Sequence, residues 1–355
     1  MFTRAAFVGF TIVLTSQSLS LAQNVYFADI FAPTLQDGSL RRLFIGEPEP
    51  VTLSAPGGGL RSLAIDSSAS KIYWSDVDQF AIRRSNLDGS NVEDVITTGL
   101  VFPAAIALDT AAGKIYWGDG VENTISRANL DGTSVEPLLE TPFFRGLTID
   151  GGAGKMYWTT SLSPTRGDIR RANLDGSDVE ILVSTPSGSF KPASLAIHRA
   201  LGVMYWTDMA LDTVHRANLD GSNSQPIRTT APYINPRGIA VDEAFDRIYI
   251  GIEVDGESTY GLIMRLYLDG TEDQIVLEGI GLANAIELGP DAPSPCPGDV
   301  NGDRVVDLTD LATLLANFGT AEGATREQGD LDADGDVDLV DLATLLANFG
   351  TSCPV

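Results

Sequence analysis

The chain has 355 residues, a formal net charge of −25 and a hydrophobic content of 43%. This hydrophobic content suffices for a large core. So acidic a surface repels phosphate backbones, which argues against nucleic-acid binding.

Residues 1–22 are typical of a secretory signal. Arg4 supplies the positive end, residues 5–14 are mainly apolar, and residues 20–22 form a small-residue cleavage site. Since no later stretch reaches about 18 apolar residues, we expect no membrane span. The sequence thus predicts an exported protein, secreted, periplasmic or at the cell surface, that begins near Gln23.

A tyrosine motif recurs six times across the following residues. The intervals between the tyrosines are 47, 43, 41, 48 and 44 residues, and four of the six tyrosines precede the chain's four tryptophans. A period in the forties with one aromatic motif per period is typical of β-propeller blades. The six tyrosines are Tyr26, Tyr73, Tyr116, Tyr157, Tyr205 and Tyr249.

Residues 60–97 show how one period predicts four short strands. An apolar segment (LRSLAID) precedes the aromatic segment KIYWS, and two further strand-like segments flank the turn Leu87-Asp88-Gly89. The array begins at Tyr26 without a first strand and ends with a lone first strand at 282–287. We therefore expect the C-terminal segment to supply the innermost strand of the blade that the N-terminus begins.

The segments KIYWSD, KIYWGD and VMYWTD, each followed by R-x-N-L-D-G, resemble the LDL-receptor class B, or YWTD, repeat. The resemblance covers residues 24 to about 288 and implies an all-β six-bladed propeller over 23–289. The copies at Tyr26 and Tyr249 lack tryptophan, so we expect looser packing there.

The loops before the first and third strands of each blade share one face and vary in length. This face carries aromatic residues that we consider candidates for partner binding. The alternative is that these rings fill the gaps between blades. They are Phe80, Phe102, Phe143, Phe144, Phe190 and Tyr233.

Three arginines start the first strands of alternate blades: Arg61, Arg145 and Arg237. They could surround the channel mouth and bind an anion. The alternative is that each pairs with a neighbouring carboxylate. Propeller hydrolases instead need converging carboxylates, amides or histidines. The sequence shows no nucleophile–base pair, and His198 stands where other complete first strands have Asp.

A Pro-rich linker at 290–298 leads to a C-terminal module at 299–355 with two acidic loops that share one register. Both loops fit positions 1, 3, 5, 7, 9 and 12 of an EF-hand, with Val305 ligating through its backbone carbonyl. We therefore expect two Ca²⁺ ions. The predicted ligands are Asp299, Asn301, Asp303, Val305, Asp307 and Asp310, followed by Asp330, Asp332, Asp334, Asp336, Asp338 and Asp341.

After each loop comes the string DLATLLANFGT, whose Leu311, Leu314, Leu315 and Phe318 predict one apolar helical stripe that packs against the second unit. The two loop–helix units resemble a small all-α type I dockerin domain over about 299–351. The resemblance implies a bacterial source and a cohesin-like protein partner. It places the partner-contacting pairs at Leu308-Thr309 and Leu339-Val340, which predicts a more apolar partner surface.

The only two cysteines, Cys296 and Cys353, flank this module, and export permits a disulfide between them. The leading hypothesis is an exported binding protein whose propeller recognises a protein or glycan and whose tail attaches it to an extracellular partner through calcium. A tethered propeller hydrolase or lyase, and a tail that caps its own propeller, are the alternatives.

Overall fold

The computed structural model describes residues 24–30, 38–45, 49–54, 59–163, 166–184, 189–230, 234–243, 245–254, 260–289, 298–301, 305–320, 324, 328–331 and 336–351. The chain divides into two compact units, one over residues 23–290 and one that includes residues 291–355. The predicted signal and both cysteines lie outside the described residues, so the disulfide remains a prediction.

Within the described residues, the first unit contains six antiparallel sheets of four strands each. Blade 1 combines the first three strands with the last: β1 Asn24–Ile30, β2 Ser39–Phe44, β3 Val51–Ser54 and β24 Leu282–Leu288. Blade 2 contains β4 Leu60–Asp66, β5 Lys71–Asp76, β6 Ala81–Asn86 and β7 Glu93–Ile96. Blade 3 contains β8 Pro103–Asp109, β9 Lys114–Asp119, β10 Thr124–Asn129 and β11 Glu136–Glu140.

The remaining three blades follow in chain order. Blade 4 contains β12 Phe144–Asp150, β13 Lys155–Ser163, β14 Arg166–Asn173 and β15 Glu180–Ser184. Blade 5 contains β16 Pro192–His198, β17 Val203–Asp208, β18 Thr213–Asn218 and β19 Gln225–Thr229. Blade 6 contains β20 Ile234–Asp242, β21 Arg247–Glu253, β22 Gly261–Tyr267 and β23 Gln274–Ile280. The fold is therefore the predicted six-bladed propeller.

The ring closes as the sequence predicts. In blade 1 the strand order is β24-β1-β2-β3, so the last strand occupies the edge position that first strands occupy in the other blades. Val25 lies opposite Leu288 and Tyr26 opposite Glu287. The pairing gives β1 a neighbour on both sides and places β24 at the inner edge of the blade, beside the channel.

Each interface between blades contains the motif tyrosine of one blade and the residue at the tryptophan position of the next. Tyr73 shares a buried cluster with Trp117, and Tyr116 shares one with Trp158. Burial of such rings stabilises the fold by roughly 1.5–3 kcal/mol each. Phe27 and Ile250 take the tryptophan position in blades 1 and 6 and are fully buried. Their burial equals that of the tryptophans, and the expectation of looser packing there stays a prediction.

The motif arginines tie neighbouring blades together. Arg84, Arg127 and Arg171 each donate to the carbonyl of the leucine in the next blade's Leu-Asp-Gly turn, at 3.0–3.2 Å. Each also pairs with a glutamate of its own outer strand at 2.7 Å. These contacts account for the R-x-N-L-D-G motif as a structural element.

The second unit contains two helices within the described residues, α1 Leu308–Asn317 and α2 Leu339–Ala347. Asp307 and Asp338 cap them, each accepting a hydrogen bond from the backbone two residues on at 2.6 Å. The predicted apolar stripe was partly wrong, because Leu314 is buried and Leu311 half-buried, whereas Leu315 and Phe318 are exposed. The core consists of five small or branched residues: Val300, Val306, Leu314, Val337 and Leu345.

Within the C-terminal unit, backbone hydrogen bonds join each acidic loop to the end of the helix that follows the other loop. Val306 accepts from Gly350 at 2.8 Å and donates to Thr351 at 3.0 Å. Val337 accepts from Gly319 at 2.8 Å and donates to Thr320 at 2.9 Å. The two valines share the core, and these bonds pair each loop with a helix end.

Candidate functional site

The innermost strands of the six blades line a central cavity of about 600 Å³. A volume of this size lies in the range of small-molecule binding sites. The cavity is therefore the first place to examine for function in the propeller.

Six residues, one from each inner strand, form a ring at one level of this cavity. In every blade, the residue two positions later on the inner strand pairs with the tryptophan position of the second strand. We call these six the mouth ring. Three arginines alternate with three smaller side chains, and all six line the cavity. In blade order they are Asn284, Arg61, Ala104, Arg145, Ala193 and Arg237.

The three arginines differ in their partners. Arg237 Nη2 lies 2.9 Å from Glu253 Oε2, so the carboxylate-pairing alternative describes this arginine. Arg61 packs its guanidinium 5.4 Å from the centre of the Phe102 ring. Neither Arg61 nor Arg145 forms an ion pair with any residue that the structure describes. Within the described part of the chain, two arginines of the mouth ring therefore have no carboxylate partner.

Burial and mutual repulsion both act on these two guanidinium groups. The pKa of Arg61 is lowered by burial and by the charge of Arg237, with Asp78 opposing. The pKa of Arg145 is lowered by burial, by Arg237 and by Arg61. Burial, Arg145 and Arg237 also lower the pKa of Lys191. These directions show a concentration of positive charge at one end of the channel of an acidic protein.

Hydroxyl groups fix the inner strands that carry the ring. Thr159 Oγ1 accepts from Gly146 N at 2.9 Å and donates to the carbonyl of Ala193 in the next blade at 2.7 Å. Thr207 Oγ1 donates to the carbonyl of Arg237 at 2.7 Å. A Cβ at Gly146 would lie 2.8 Å from the Ala193 carbonyl oxygen, so glycine permits this close approach.

The predicted aromatic residues divide into two groups. Phe80 and Phe143 are 52% and 55% exposed and hold left-handed φ angles of 51° and 55°, which is costly for a bulky side chain. Phe102 is half-buried at the cavity. Phe144 and Phe190 are buried in inter-blade clusters, as the gap-filling alternative describes. Tyr233 lies outside the described residues.

Two glutamates and one arginine line the cavity away from the mouth ring. Glu243 is paired with Arg199 at 2.8 Å. Glu287 lies on the innermost strand opposite Tyr26, where the equivalent position of blade 2 is Ala64. Burial raises the pKa of Glu287 to about 8, although the charge of Arg199 acts in the opposite direction. Aligning 282–287 with the other first strands would have identified both Asn284 and Glu287, which the sequence reasoning did not single out.

Among the described residues, one group of three or more acidic, histidine or cysteine side chains lies close enough to share a metal, and it belongs to the C-terminal unit. No such group lines the described part of the channel. His198 is buried beside Glu243 and Asp246, at 3.5 and 3.3 Å. Its contacts are those of a packed residue between two blades.

In the C-terminal unit, three acidic side chains of the second loop lie close together. Carboxylate oxygens of Asp336, Asp338 and Asp341 all lie within 4.8 Å of one another. Asp341 is fully buried and accepts from Leu331 N and Asp338 N at 2.6 and 2.7 Å. Three carboxylates at such distances repel one another unless a cation neutralises them, and hard oxygen ligands suit Ca²⁺. The residues present therefore fit a calcium ion.

The first loop repeats the hydrogen bonding of this buried acid. Asp310 is fully buried and accepts from Val300 N at 2.7 Å, Asn301 N at 3.1 Å and Asp307 N at 2.9 Å. Among the other predicted ligands, Asp299 and Asp330 are buried and Val305 is 38% exposed. Asp303, Asp332 and Asp334 lie outside the described residues.

Both helices of this unit expose an apolar face to solvent. Leu308 and Leu339, the first residues of the helices, are 71% and 70% exposed. Leu315 and Leu346 stand two turns further along and are also more than half exposed. Alanines occupy the same faces. The unit thus presents two related apolar patches that we call the helix patches: Leu308, Ala312, Leu315 and Ala316 on α1, and Leu339, Ala343, Leu346 and Ala347 on α2.

Family models match both units. The low-density lipoprotein receptor repeat class B matches residues 70–110 and 202–243. Each matched segment runs from the second strand of one blade to the first strand of the next, so the sequence repeat is offset from the blade. The dockerin type I domain matches residues 297–349. The chain therefore contains class B repeats and a dockerin type I domain.

Two curated receptors are similar to short stretches of the chain. The chain is 51% identical over 39 residues to low-density lipoprotein receptor-related protein 4 of Homo sapiens, covering 11% of this chain and 2% of the receptor. It is 38% identical over 92 residues to vitellogenin receptor Yl of Drosophila melanogaster, covering 25% and 4%. The chain thus spans a few per cent of the length of these relatives.

Solved structures share the propeller fold. A chain of a nidogen/laminin complex superposes with a TM-score of 0.63 at 20% identity, covering 76% of this chain and 99% of that chain. TolB from Acinetobacter baumannii gives 0.62 at 13% identity, covering 77% and 68%. At these identities the likeness concerns the fold alone. None of the described helices has the length and apolar character needed to cross a membrane.

Proposed function

From the class B repeats and the dockerin type I domain that the chain contains, we propose that it is an exported bacterial binding protein. Its propeller would recognise a protein or glycan, and its C-terminal unit would attach it to a cohesin-like extracellular partner in the presence of Ca²⁺. The predicted signal at residues 1–22 supports export. The acidic loops support the requirement for calcium.

The observation that carries the attachment half is the pair of helix patches. A unit with a core of five residues gains nothing for its own stability from leucines that remain 70% exposed. Exposed apolar patches on soluble proteins commonly mark interaction surfaces. Because the two patches repeat with the same spacing of 31 residues, each could dock in a similar way.

The face of the propeller with the mouth ring supports the recognition half. Two exposed phenylalanines in left-handed conformations and an aromatic-flanked cavity lie on a rigid scaffold. Loops on such scaffolds are where binding residues concentrate.

Binding to immobilised cohesin modules tests the attachment. We expect the full chain to bind one or more members of a type I cohesin panel with Ca²⁺ and not after metal removal. Leu308→Asp with Leu339→Asp should abolish the interaction, because charges would enter the apolar contact. Leu211→Asp is the matched control, since Leu211 is an exposed leucine of the propeller. Unchanged binding of the double variant would contradict the proposal.

Light scattering with and without Ca²⁺ distinguishes attachment from the capping alternative. A tail that caps its own propeller leaves the full chain monomeric and leaves the cohesin panel unbound, while truncation at Pro290 lowers propeller stability. A docking tail leaves the full chain monomeric until a cohesin module is added, forms a larger species with that module in Ca²⁺, and leaves propeller stability unchanged on truncation at Pro290.

A further inference from the structure

We propose that the mouth ring is a binding site for a multiply charged oxyanion, namely sulfate, phosphate or clustered carboxylates, held by Arg61, Arg145 and Arg237. The inference rests on the propeller half of the proposed function and specifies the chemistry of its ligand. It does not depend on attachment through the C-terminal unit.

The first step of the argument is that Arg61 and Arg145 do not stabilise the propeller through ion pairs. Neither has a carboxylate partner among the described residues, although the chain has 48 acidic side chains that could supply one. Both belong to a cavity lining in which their charges repel each other and that of Arg237. Like charges held together are unfavourable unless a ligand neutralises them.

The second step is the arrangement around the channel. Arginines occupy alternate blades, and the positions between Arg61, Arg145 and Arg237 carry Ala104 and Ala193. Such small side chains leave room for the long guanidinium groups and for a ligand between them. The planar guanidinium presents several N–H donors that match carboxylate, sulfate and phosphate oxygens. Asn284 completes the mouth ring and adds an amide donor.

The third step concerns which part of the channel the anion would occupy. The three arginines lie in the first half of their inner strands, whereas Glu243 follows the end of β20 and is already paired with Arg199 at 2.8 Å. The unpaired guanidinium groups of the mouth ring therefore attract an anion more strongly than the opposite end of the channel does. Phe102 and Phe143 line the cavity beside the ring. The rest of the ligand therefore meets apolar surface while its anionic group meets the arginines.

Isothermal titration calorimetry on the full chain, freed of divalent metal on a chelating resin and held at low ionic strength, tests the site. The probes are sulfate and tricarballylate, which carries three carboxylates. We expect saturable one-to-one binding that weakens about tenfold or more in Arg61→Ala and in Arg145→Ala. Tighter binding of tricarballylate assigns clustered carboxylates as the ligand chemistry, and tighter binding of sulfate assigns a single tetrahedral oxyanion.

Arg228→Ala is the matched control, because Arg228 lies on an outer strand and pairs with Asp273 in an exposed contact. It removes the same charge and should leave affinity within about twofold of the unmodified chain. Arg145→Lys keeps the charge without the planar fork and should give intermediate affinity. Failure of both probes to bind at about 10 mM, or binding by the two alanine variants that is as tight as binding by the unmodified chain, overturns the inference.

Thermal unfolding separates binding from folding. Removing an unpaired positive charge from the ring should leave the melting temperature of the propeller unchanged or raise it, while binding is lost. A variant that is unfolded is replaced by its lysine counterpart. If the oxyanions fail to bind but the propeller still recognises a protein or glycan, the ligand chemistry proposed here is wrong and the proposed function stands.

Discussion

The propeller and the C-terminal unit solve the burial of acidic side chains in different ways. In the propeller, Asp119 accepts hydrogen bonds from the backbone N–H groups of four residues. Burial alone would raise its pKa, but these donors lower it below the usual value. In the C-terminal unit, three carboxylates of the second loop lie within 4.8 Å of one another.

The difference follows the size of the core. Six inter-blade clusters hold the propeller strands in place, so backbone amides are available at fixed positions to satisfy each acid. The C-terminal unit has one small cluster and concentrates its acids around loops that a cation can organise. A large core supports acids by geometry, whereas the small core brings its acids within reach of a single cation.

Removal of calcium should have the largest effect, because it concerns the folding of a whole unit. With excess chelator we expect the helical circular dichroism signal of α1 and α2 to disappear, since the acidic loops would repel without a cation. In calorimetry, the transition of the C-terminal unit should vanish while the propeller transition shifts by less than about 2 °C.

Magnesium at the same concentration is the control for a general charge effect. Helicity that is unchanged in excess EDTA, or a propeller transition that moves together with the tail, would contradict the contrast between the two units.

Trp158→Ala tests the propeller side of the comparison. Trp158 is fully buried against the neighbouring blade, and its Nε1 donates to Thr141 Oγ1 at 2.9 Å. Removing the ring should lower the free energy of unfolding of the propeller by about 3–5 kcal/mol. Trp158→Phe should cost less, and neither variant should alter calcium affinity. Denaturant unfolding measures the stability of each variant, and a separate calcium titration measures its calcium affinity. A change in calcium affinity would show that the two units are coupled.

Glu287→Gln tests an acid of the propeller that has no compensating donor among the residues that the structure describes. Its pKa in the folded state is about 8 against 4.5 as the reference, so the unfolded state ionises first as the pH rises. Stability from this group is therefore complete below about pH 4.5 and is lost as the pH rises towards 8. The variant should be more stable than the unmodified chain by roughly 2–4 kcal/mol above pH 8, and equal to it near pH 4.

Denaturant midpoints across this pH range measure the effect. Glu278→Gln, at an exposed position of β23, controls for the change in net charge. A pH-independent difference between Glu287→Gln and the unmodified chain would show that the side chain stays ionised in the folded state.

Arg304→Gly sharpens the comparison within the C-terminal unit and should have the smallest effect. Arg304 stands at position 6 of the first loop, where the second loop has Gly335 and where EF-hand loops turn sharply. Glycine adopts such a turn more readily, by about 1 kcal/mol. We expect the first site to gain about fivefold in calcium affinity. Equal affinity of the two sites before and after the change would refute the reasoning.

The sequence specified the propeller because its signals repeat. Six tyrosines at intervals in the forties predicted six blades, and the lone strand at 282–287 predicted the closure with β1. Repetition averages out local ambiguity of helix and strand propensity. The helices of the C-terminal unit were also predicted, but not which of their apolar residues face the core. Leu315 and Leu314 have the same chemistry, and only the packing of the two helices shows that Leu315 is exposed and Leu314 buried.

The channel was harder to predict than the fold. The alternate placement of Arg61, Arg145 and Arg237 could be read from the repeats, yet the pairing of Arg237 with Glu253 depends on contacts that a sequence does not show. In the same way, Phe144 and Phe143 are adjacent in sequence and face different surroundings. Gly118 in the neighbouring blade leaves the space that the Phe144 ring fills.

The closure of the ring by β24 also determines how the propeller would carry mechanical load. The polypeptide leaves the propeller from β24, whose neighbour β1 holds it through paired residues from Val25–Leu288 to Ile30–Leu282. A pull along the axis of β24 loads these hydrogen bonds together, in shear, rather than one after another. An anchored molecule under flow would thus transmit tension into the strand on which the integrity of the whole ring depends.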